Sequence, residues 1–239
     1  MQSFPSATQA VGADERRLEA ATIPRLMSSH LLIVGAAAGV LVLAGCGGGS
    51  RETTTDVNGC APVQAPSTEG RTRPRPTTKL DATLKHDVTL TTNCGAFTIR
   101  LDPTRSPNAA ASFASLVQSG YYDGTLFFKI VPTYIQGGDP TATGTGDPGY
   151  TTVDKPAPDT KYTHGVVAMG KTGAQAPGTA GSQFFVVTAP DAGLTPDYAV
   201  IGTVLQGLDV VDRIGKLGDS NGHATEPVEI KRATLRSFR

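Results

Sequence analysis

The sequence has no excess of charge of either sign. Lysine and arginine together number 21, and aspartate and glutamate together also number 21. Proteins that bind nucleic acid through its phosphates normally carry a surplus of positive charge, which this chain does not have. The composition therefore gives no support to a nucleic-acid partner. The hydrophobic fraction of 38% suits a soluble globular core.

Histidine is also scarce, and its positions form no metal-binding pattern. The 4 histidines are scattered along the chain without the spacing of metal ligands. Ser182 lacks the flanking residues of a nucleophile elbow. The sequence thus gives no support to a metal centre or to covalent catalysis, and we expect no cofactor.

A long apolar run occurs near the N-terminus, at residues 31–43. It follows three arginines and has the length of a secretory signal, but it is too short to span a bilayer comfortably. It ends in Leu43-Ala44-Gly45-Cys46, which resembles a bacterial lipobox. This resemblance implies cleavage before Cys46 and lipid attachment to that cysteine, so residues 1–45 are interpreted as a signal or anchor segment.

Two alternatives to this interpretation stay open. In one, the apolar run is an uncleaved membrane anchor and Cys46 is incidental. In the other, translation begins at Met27, which leaves His30 but no lysine or arginine ahead of the apolar core. A lipid-anchored protein would lie on the extracytoplasmic face of the cell membrane, where disulfides persist. The sequence leaves open whether Cys60 and Cys94 pair there.

Residues 46–85 are predicted to form a disordered linker. Glycine, threonine, proline, serine and arginine dominate it, and large apolar residues are almost absent. Such a segment buries too little apolar surface to order itself, and we interpret it as a flexible tether. Arg71, Arg73 and Arg75 lie within it and are expected to be solvated, with contact to anionic lipid headgroups as the alternative.

Residues 86–239 are predicted to form one domain of short strands and two helices. Phe97, Ile99 and Leu101 alternate with polar residues, which is typical of a half-buried strand. One helix is predicted from Pro107, with Ser106 as its cap, to the residue before Gly120. A second helix is predicted at residues 208–216. Further strands are predicted at residues 129–131, 134–136, 166–169, 184–187, 200–205 and 228–236. Many short strands separated by glycine and proline indicate a barrel or a sandwich.

Two glycine-rich motifs match nucleotide-binding patterns without their structural context. Residues 165–172 match a phosphate-binding loop, which requires a helix immediately afterwards. Gly173 and Pro177 oppose a long helix there, so nucleotide binding through Lys171 is kept only as an alternative. Residues 144–149 match a dinucleotide fingerprint, but Pro148 leaves no helix N-terminus to hold a pyrophosphate. We interpret this second motif as a surface loop.

Five sequence blocks follow one another between Asp87 and the C-terminus. They are Gly120-Tyr121-Tyr122-Asp123-Gly124-Thr125, Gln136-Gly137-Gly138-Asp139-Pro140, Val167-Ala168-Met169, Gly181-Ser182-Gln183-Phe184-Phe185 and Tyr198-Ala199-Val200-Ile201-Gly202. In this order they resemble the cyclophilin family of peptidyl-prolyl cis-trans isomerases. The resemblance implies a mainly β fold, a closed eight-stranded antiparallel barrel with two capping helices. It also implies an isomerase that acts on proline-containing polypeptides, and we expect a monomer.

The chemistry of such an isomerase needs no nucleophile. Rotation about the amide that precedes proline faces a barrier of about 18–20 kcal/mol, whereas the cis and trans forms differ by only about 0.5–1 kcal/mol. A cationic hydrogen-bond donor near the imide nitrogen, with a pocket that fixes the proline ring, favours the twisted transition state.

The resemblance also implies roles for individual residues. Lys129, Gln136 and Gln183 would be catalytic, with the two glutamines holding the substrate backbone and orienting the cation. The substrate-binding positions would be Phe128, Tyr134, Ile135, Gly170, Lys171, Phe185, Leu194 and Tyr198. Taken singly, Phe185 and Leu194 are typical of barrel core and Gln136 of a solvent-facing strand position. The order of the blocks is what indicates a site.

The chain departs from the family pattern at identifiable positions. Phe127-Phe128-Lys129 stands where Phe-His-Arg is usual, so lysine replaces the catalytic arginine. The segment before Gln136 is shorter than usual, and Gly193 falls where an aromatic wall residue is common. Lysine keeps the charge but lacks the planar fork of arginine, a loss of roughly 1–3 kcal/mol or about 10- to 100-fold in rate. We expect a weakened isomerase that assists folding of secreted proteins, with a non-catalytic proline-peptide binding module or chaperone as the alternative.

Overall fold

The computed structural model describes residues 58–64 and 68–239. The signal segment 1–45, the predicted lipid attachment at Cys46 and residues 46–57 and 65–67 of the linker lie outside the described residues. Within the described part of the chain, no helix is both long enough and apolar enough to cross a bilayer.

Eight strands close into an antiparallel barrel, which confirms the predicted fold class. Around the barrel the order is β1 (Lys85–Thr92), β10 (Glu229–Phe238), β3 (Thr125–Val131), β4 (Tyr134–Asp139), β8 (Phe184–Val187), β6 (Val166–Met169), β9 (Val200–Gln206) and β2 (Gly95–Leu101). Strand β2 pairs again with β1 and so closes the ring. Two further short strands, β5 (Thr152–Val153) and β7 (Thr179–Ala180), pair with each other outside the barrel.

The barrel interior is filled by side chains at every second position of the strands. Val88 and Leu90 of β1 face inward, and so do Phe97, Ile99 and Leu101 of β2. This period of two is the alternation expected when one face of a strand packs on the core and the other meets solvent. The predicted half-buried strand at residues 97–101 is therefore confirmed.

Both predicted helices are present. The first, α1 (Pro107–Gln118), has proline at its start, but the side chain of Ser106 makes no capping hydrogen bond. The Asp154 carboxylate caps this helix instead, since it accepts hydrogen bonds from the backbone N–H of Asn108 at 2.9 Å and of Ala109 at 2.6 Å. The second helix, α2 (Leu208–Gly215), buries Val210, Val211 and Ile214.

Residues that composition assigned to the linker lie against the barrel in the structure. Cys60 and Cys94 form a disulfide, the pairing that the sequence left open, and both are buried. Ala61 and Asn93 exchange two hydrogen bonds of 2.8 and 2.9 Å beside it. Leu80 packs against the main core. A covalent bond and polar contacts thus hold a segment whose few apolar side chains gave no signal of order.

Candidate active site

A cleft of about 400 Å³ lies on the face of β4 and β8 that is turned away from the barrel interior. The two strands pair in antiparallel register, with Tyr134 opposite Val187 and Gln136 opposite Phe185. The cleft brings together all but one of the predicted site residues: Phe128, Lys129, Tyr134, Gln136, Gly170, Lys171, Gln183, Phe185, Leu194 and Tyr198.

Ile135 is the exception, and its predicted contact with substrate is not what the structure shows. It has no exposed surface and packs in the main core with Phe127 and Ile130. Its neighbours Tyr134 and Gln136 are half-buried and line the cleft. Because successive side chains of a strand point to opposite faces, Tyr134 and Ile135 could not both face the substrate.

Aromatic rings form the apolar floor of the cleft. The ring centroid of Phe185 lies 5.2 Å from that of Tyr134 and 5.3 Å from that of Tyr198. Leu194 packs against the same cluster, which is separate from the barrel core. Offset and edge-to-face contacts of this kind hold rings in fixed positions, so the floor is a preformed apolar surface.

Tyr162 holds one wall of the cleft, a role that no sequence signal indicated. Its hydroxyl donates a hydrogen bond to the carbonyl of Tyr198 at 2.8 Å and accepts one from the Tyr198 backbone N–H at 2.9 Å.

Burial, assisted by Tyr134 and Asp197, raises the pKa of the Tyr198 hydroxyl, and Lys129 opposes the rise. The Tyr198 hydroxyl is therefore neutral near pH 7.

The two predicted glutamines are joined in a directed hydrogen-bond chain. Gln136 Nε2 donates to Gln183 Oε1 at 2.9 Å, and Gln183 Nε2 donates to the Gly146 carbonyl at 3.1 Å. The backbone N–H of Gly170 donates to the Gln183 carbonyl at 2.8 Å. These bonds orient both amides, and within the described residues Gln136 Oε1 accepts no hydrogen bond. That oxygen stays available to a peptide N–H.

Lys129 carries the positive charge at one side of the cleft. It is exposed on β3 and lies in register with Gln136 on β4. Its Nζ lies 5.5 Å from the centroid of the Tyr134 ring, within the range of a cation–π contact. No carboxylate of the described residues lies within 4.0 Å of it. The ammonium thus remains beside the apolar floor with no charged partner.

Gly170 and Lys171 lie on the opposite side of the floor. A Cβ on Gly170 would come within 3.2 Å of Gln136 Nε2, so a larger residue would disturb the glutamine pair. Lys171 Nζ donates to the carbonyl of Gln175 at 3.1 Å and lies 5.6 Å from the centroid of the Tyr198 ring. Residues 170–178 form turns and not a helix. The phosphate-binding match therefore lacks the helix that its chemistry requires.

The glycine-rich loop at residues 143–147 also lines the cleft, a role the sequence analysis missed. Asp139 anchors it from a fully buried position: its carboxylate accepts hydrogen bonds from Gly144 N–H at 2.7 Å and Gly146 N–H at 3.0 Å. Burial opposes the charge on Asp139, but the hydrogen bonds from Thr141, Gly146 and Gly144 outweigh it, so the pKa is below its ordinary value. The available signal was an aspartate a few residues before the alternating threonines and glycines at 143–146.

Gly193 does not line the cleft and, as glycine, brings no aromatic ring to it. Its φ of +64° lies in the left-handed region, where an aromatic residue would be strained.

Among the described residues, no group of three or more His, Cys, Asp or Glu side chains could hold a metal ion.

The barrel and the cleft together define a protein that can hold an extended peptide across an apolar floor between oriented amides and a cation. Residues 87–235 match the family described as cyclophilin type peptidyl-prolyl cis-trans isomerase/CLD. The chain belongs to this family of isomerases, which confirms the predicted enzyme class.

Curated relatives agree with this assignment. The chain is 36% identical over 155 residues to a peptidyl-prolyl cis-trans isomerase-like 1 of Emericella nidulans, and the alignment covers 62% of this chain and 94% of that protein. It is 38% identical over 153 residues to the isomerase-like 1 protein of Mus musculus, covering 62% and 90%. Peptidyl-prolyl cis-trans isomerase CYP18-2 of Arabidopsis thaliana is 38% identical over 140 residues, covering 56% and 84%.

Solved structures agree as well. A cyclophilin type isomerase of Cryptosporidium parvum superposes with a TM-score of 0.59 at 31% identity, covering 65% of this chain and 99% of that one. A second structure of that protein, in the presence of the dipeptide Ala-Pro, gives 0.58 at 30% identity, covering 63% and 98%. The family match, at residues 87–235, does not include the N-terminal segment, so the lipoprotein form stays a prediction.

Proposed function

We propose that this protein is a lipid-anchored, extracytoplasmic isomerase for secreted polypeptides, with turnover lowered by lysine at position 129. The observation that carries the proposal is the Lys129 ammonium, 5.5 Å from the Tyr134 ring and without a carboxylate partner among the described residues. A cation held at the edge of an apolar floor is the donor that a twisted imide requires.

Most of the cleft residues bind the peptide, and Lys129 promotes rotation about the imide bond. The proline ring rests on Phe185 between Tyr134 and Tyr198, while Gln136 Oε1 accepts a hydrogen bond from the peptide backbone. Lys129 donates a hydrogen bond to the imide nitrogen, which regains its lone pair as the amide twists. This bond exists only in the transition state, so it lowers the barrier and leaves substrate binding unchanged. No proton is transferred, and no covalent bond is formed or broken.

Lysine performs this task less well than arginine for two reasons. Its ammonium is one point charge on a flexible stem, so it cannot serve the substrate and Gln136 at once through a rigid fork. The side chain is also exposed, so water competes for its protons. The expected penalty is about 10- to 100-fold in turnover.

The extracytoplasmic location has two supports. The sequence Leu43-Ala44-Gly45-Cys46 has the lipobox pattern. The Cys60–Cys94 disulfide fits an oxidising compartment, since such bonds are rare where thiols are kept reduced. Labelling with a lipid analogue in a bacterial host tests this. We expect the label in the wild type and none in Cys46→Ala, whereas an unlabelled wild-type protein would contradict the anchor.

A second candidate function, a proline-peptide binding module without turnover, is favoured by the lysine itself. Two measurements on the full-length protein with an Ala-Pro-containing peptide distinguish these two functions. Exchange spectroscopy gives the rate of cis–trans interconversion at saturating peptide, and a titration gives the affinity. Interconversion faster than in free peptide supports the isomerase. Binding without acceleration would leave only the module.

A further inference from the structure

Residues 71–75, here called the strap, lie against the outer side of the loop that lines the cleft. The backbone N–H of Arg73 donates to the Pro148 carbonyl at 2.9 Å. The Thr72 methyl lies 3.5 Å from the position of a Cβ on Gly149, whose φ is +89°. The strap is outside the part of the chain that matches the family, which begins at residue 87. Its contacts therefore come from the segment N-terminal to the part of the chain that matches the family.

Arg75 makes the strap's most direct contact with the wall of the cleft. Its guanidinium donates a hydrogen bond to the Thr151 carbonyl and lies 5.8 Å from the centroid of the Tyr150 ring. Thr151 itself lines the cleft, as does Asp147 at the other end of the same short segment. The arginine thus holds the segment 147–151 from its outer side.

A second path joins the strap to the cleft through Tyr121. Arg71 donates hydrogen bonds of 2.7 Å to the carbonyls of Tyr121 and Asp123, and the Arg73 guanidinium lies 5.8 Å from the Tyr121 ring. Tyr121 is fully buried, and its hydroxyl bonds to Ser182 Oγ at 3.0 Å. Ser182 lines the cleft directly before Gln183. The strap is therefore connected to the peptide site by two paths, one through Thr151 and one through Tyr121 and Ser182.

Residues 143–151, here called the cleft loop, are held from inside at Gly144 and Gly146 and again from Thr152, where β5 pairs with β7, so the stretch 147–151 depends most on outer support. Asp139 binds the amides of Gly144 and Gly146, and Gln183 binds the Gly146 carbonyl. Beyond Gly146, the hydrogen bonds that hold residues 147–151 to the domain come from the Tyr150 hydroxyl, which bonds to Ser112 Oγ at 2.9 Å, and from the strap.

We infer that Arg73 and Arg75 are positioning residues, and that the strap sets peptide affinity by fixing the cleft loop from outside. This inference rests on the proposed peptide cleft. It implies that the segment between the predicted membrane anchor and the barrel is part of the binding machinery, and not merely a spacer.

The test compares Arg75→Ala with the wild type in the full-length protein. Arg232→Ala, an exposed arginine on β10, is the matched control. Loss of the strap bond should speed hydrogen exchange at the Gly144, Gly146 and Gly149 amides by about 3- to 10-fold and weaken binding of an Ala-Pro-containing peptide by a similar factor. Arg75→Lys, which keeps a charged donor, should recover part of both effects.

Three results would overturn the inference. One is unchanged exchange and affinity in Arg75→Ala. Another is an equal rise in exchange at the β1 and β2 amides, which would mean that Arg75 stabilises the whole domain. The third is an effect of Arg232→Ala as large as that of Arg75→Ala. If the wild type binds no peptide, the proposed cleft fails, but the exchange data still decide whether the strap fixes the loop.

Discussion

Gln136 on β4 donates a hydrogen bond from Nε2 to Oε1 of Gln183, the residue before β8, over 2.9 Å. Gln183 can accept this bond only in the orientation in which its own Nε2 donates to Gly146, at 3.1 Å. The two amides are therefore fixed together. Gln136 in consequence presents its carbonyl oxygen for the substrate.

Gln183→Ala should remove both bonds and leave Gln136 free to rotate. We expect the kcat/KM for a proline peptide to fall by about 5- to 150-fold, since each of the two hydrogen bonds is worth about 0.5–1.5 kcal/mol. Gln206→Ala, on an exposed position of β9, is the control and should match the wild type. A Gln183→Ala enzyme within twofold of the wild type would show that the pair does not orient the site.

Asp139 should make the protein sensitive to acid. Its folded-state pKa is lowered by hydrogen bonds from Thr141, Gly146 and Gly144, which outweigh the effect of burial. A lowered folded-state pKa contributes stability that is present above the unfolded pKa, near 4, and is lost as the pH falls through the folded value. The free energy of unfolding should therefore decline below about pH 4.

Asp139→Asn tests this assignment by urea unfolding at several pH values. An amide cannot accept all the hydrogen bonds that the carboxylate accepts, so we expect the free energy of unfolding to fall by about 2–4 kcal/mol at pH 7. We also expect a shallower acid limb, that is, a smaller decrease in the free energy of unfolding as the pH falls below about 4. Asp159→Asn, at an exposed site, should keep the wild-type acid limb. An unaltered acid limb in Asp139→Asn would assign the acid sensitivity to other carboxylates.

Gly138 is required by a close approach of two chain segments. Its φ is +85°, and a Cβ there would lie 2.5 Å from the Ser182 carbonyl oxygen. Gly138→Ala should lower the free energy of unfolding by about 2–4 kcal/mol, through backbone strain and overpacking together. Gly173→Ala, with nothing within 4 Å, should change stability little. Equal stabilities of the two variants in thermal unfolding would contradict this packing.

The Cys60–Cys94 disulfide should stabilise the domain by restricting the unfolded chain. The cysteines are 34 residues apart, and a loop of about that length corresponds to roughly 3–4 kcal/mol in the loop-entropy model. Reductant should lower the melting temperature of the wild type and leave a Cys60→Ser, Cys94→Ser variant unaffected. If reductant shifts both proteins equally, the bond is not the cause.

The sequence predicted the barrel well because apolar periodicity and family motifs coincide along it. The strands at residues 166–169 and 184–187 have their predicted bounds, and α2 differs from its prediction by one residue at its end. Barrel strand β1 (Lys85–Thr92) was not predicted, and its first residue was assigned to the linker. Strands β5 and β7 were also missed, since two residues carry no detectable period. The order of strands around the barrel depends on contacts between distant segments, so it came only from the resemblance.

The site was predicted less completely than the fold. Ile135 was assigned to the cleft because the shortened segment before Gln136 hid which residue shares its face, and the period of two resolves the question in favour of Tyr134. The strap was missed because arginine, threonine and proline order themselves through polar contacts, which leave no apolar pattern. The loop at residues 143–147 lines the cleft because the buried Asp139 anchors it. Aspartate is usually exposed, so the residue type alone did not indicate this burial.

The catalytic role of Lys129 is tested most directly by the turnover of wild type, Lys129→Arg and Lys129→Ala on one proline peptide, measured at saturation. We predict that arginine raises kcat by about 10- to 100-fold and that alanine lowers it, with peptide affinity changed by less than about threefold in both. Wild-type turnover in Lys129→Ala would contradict it. So would an undetectable rate that remains undetectable after arginine is restored.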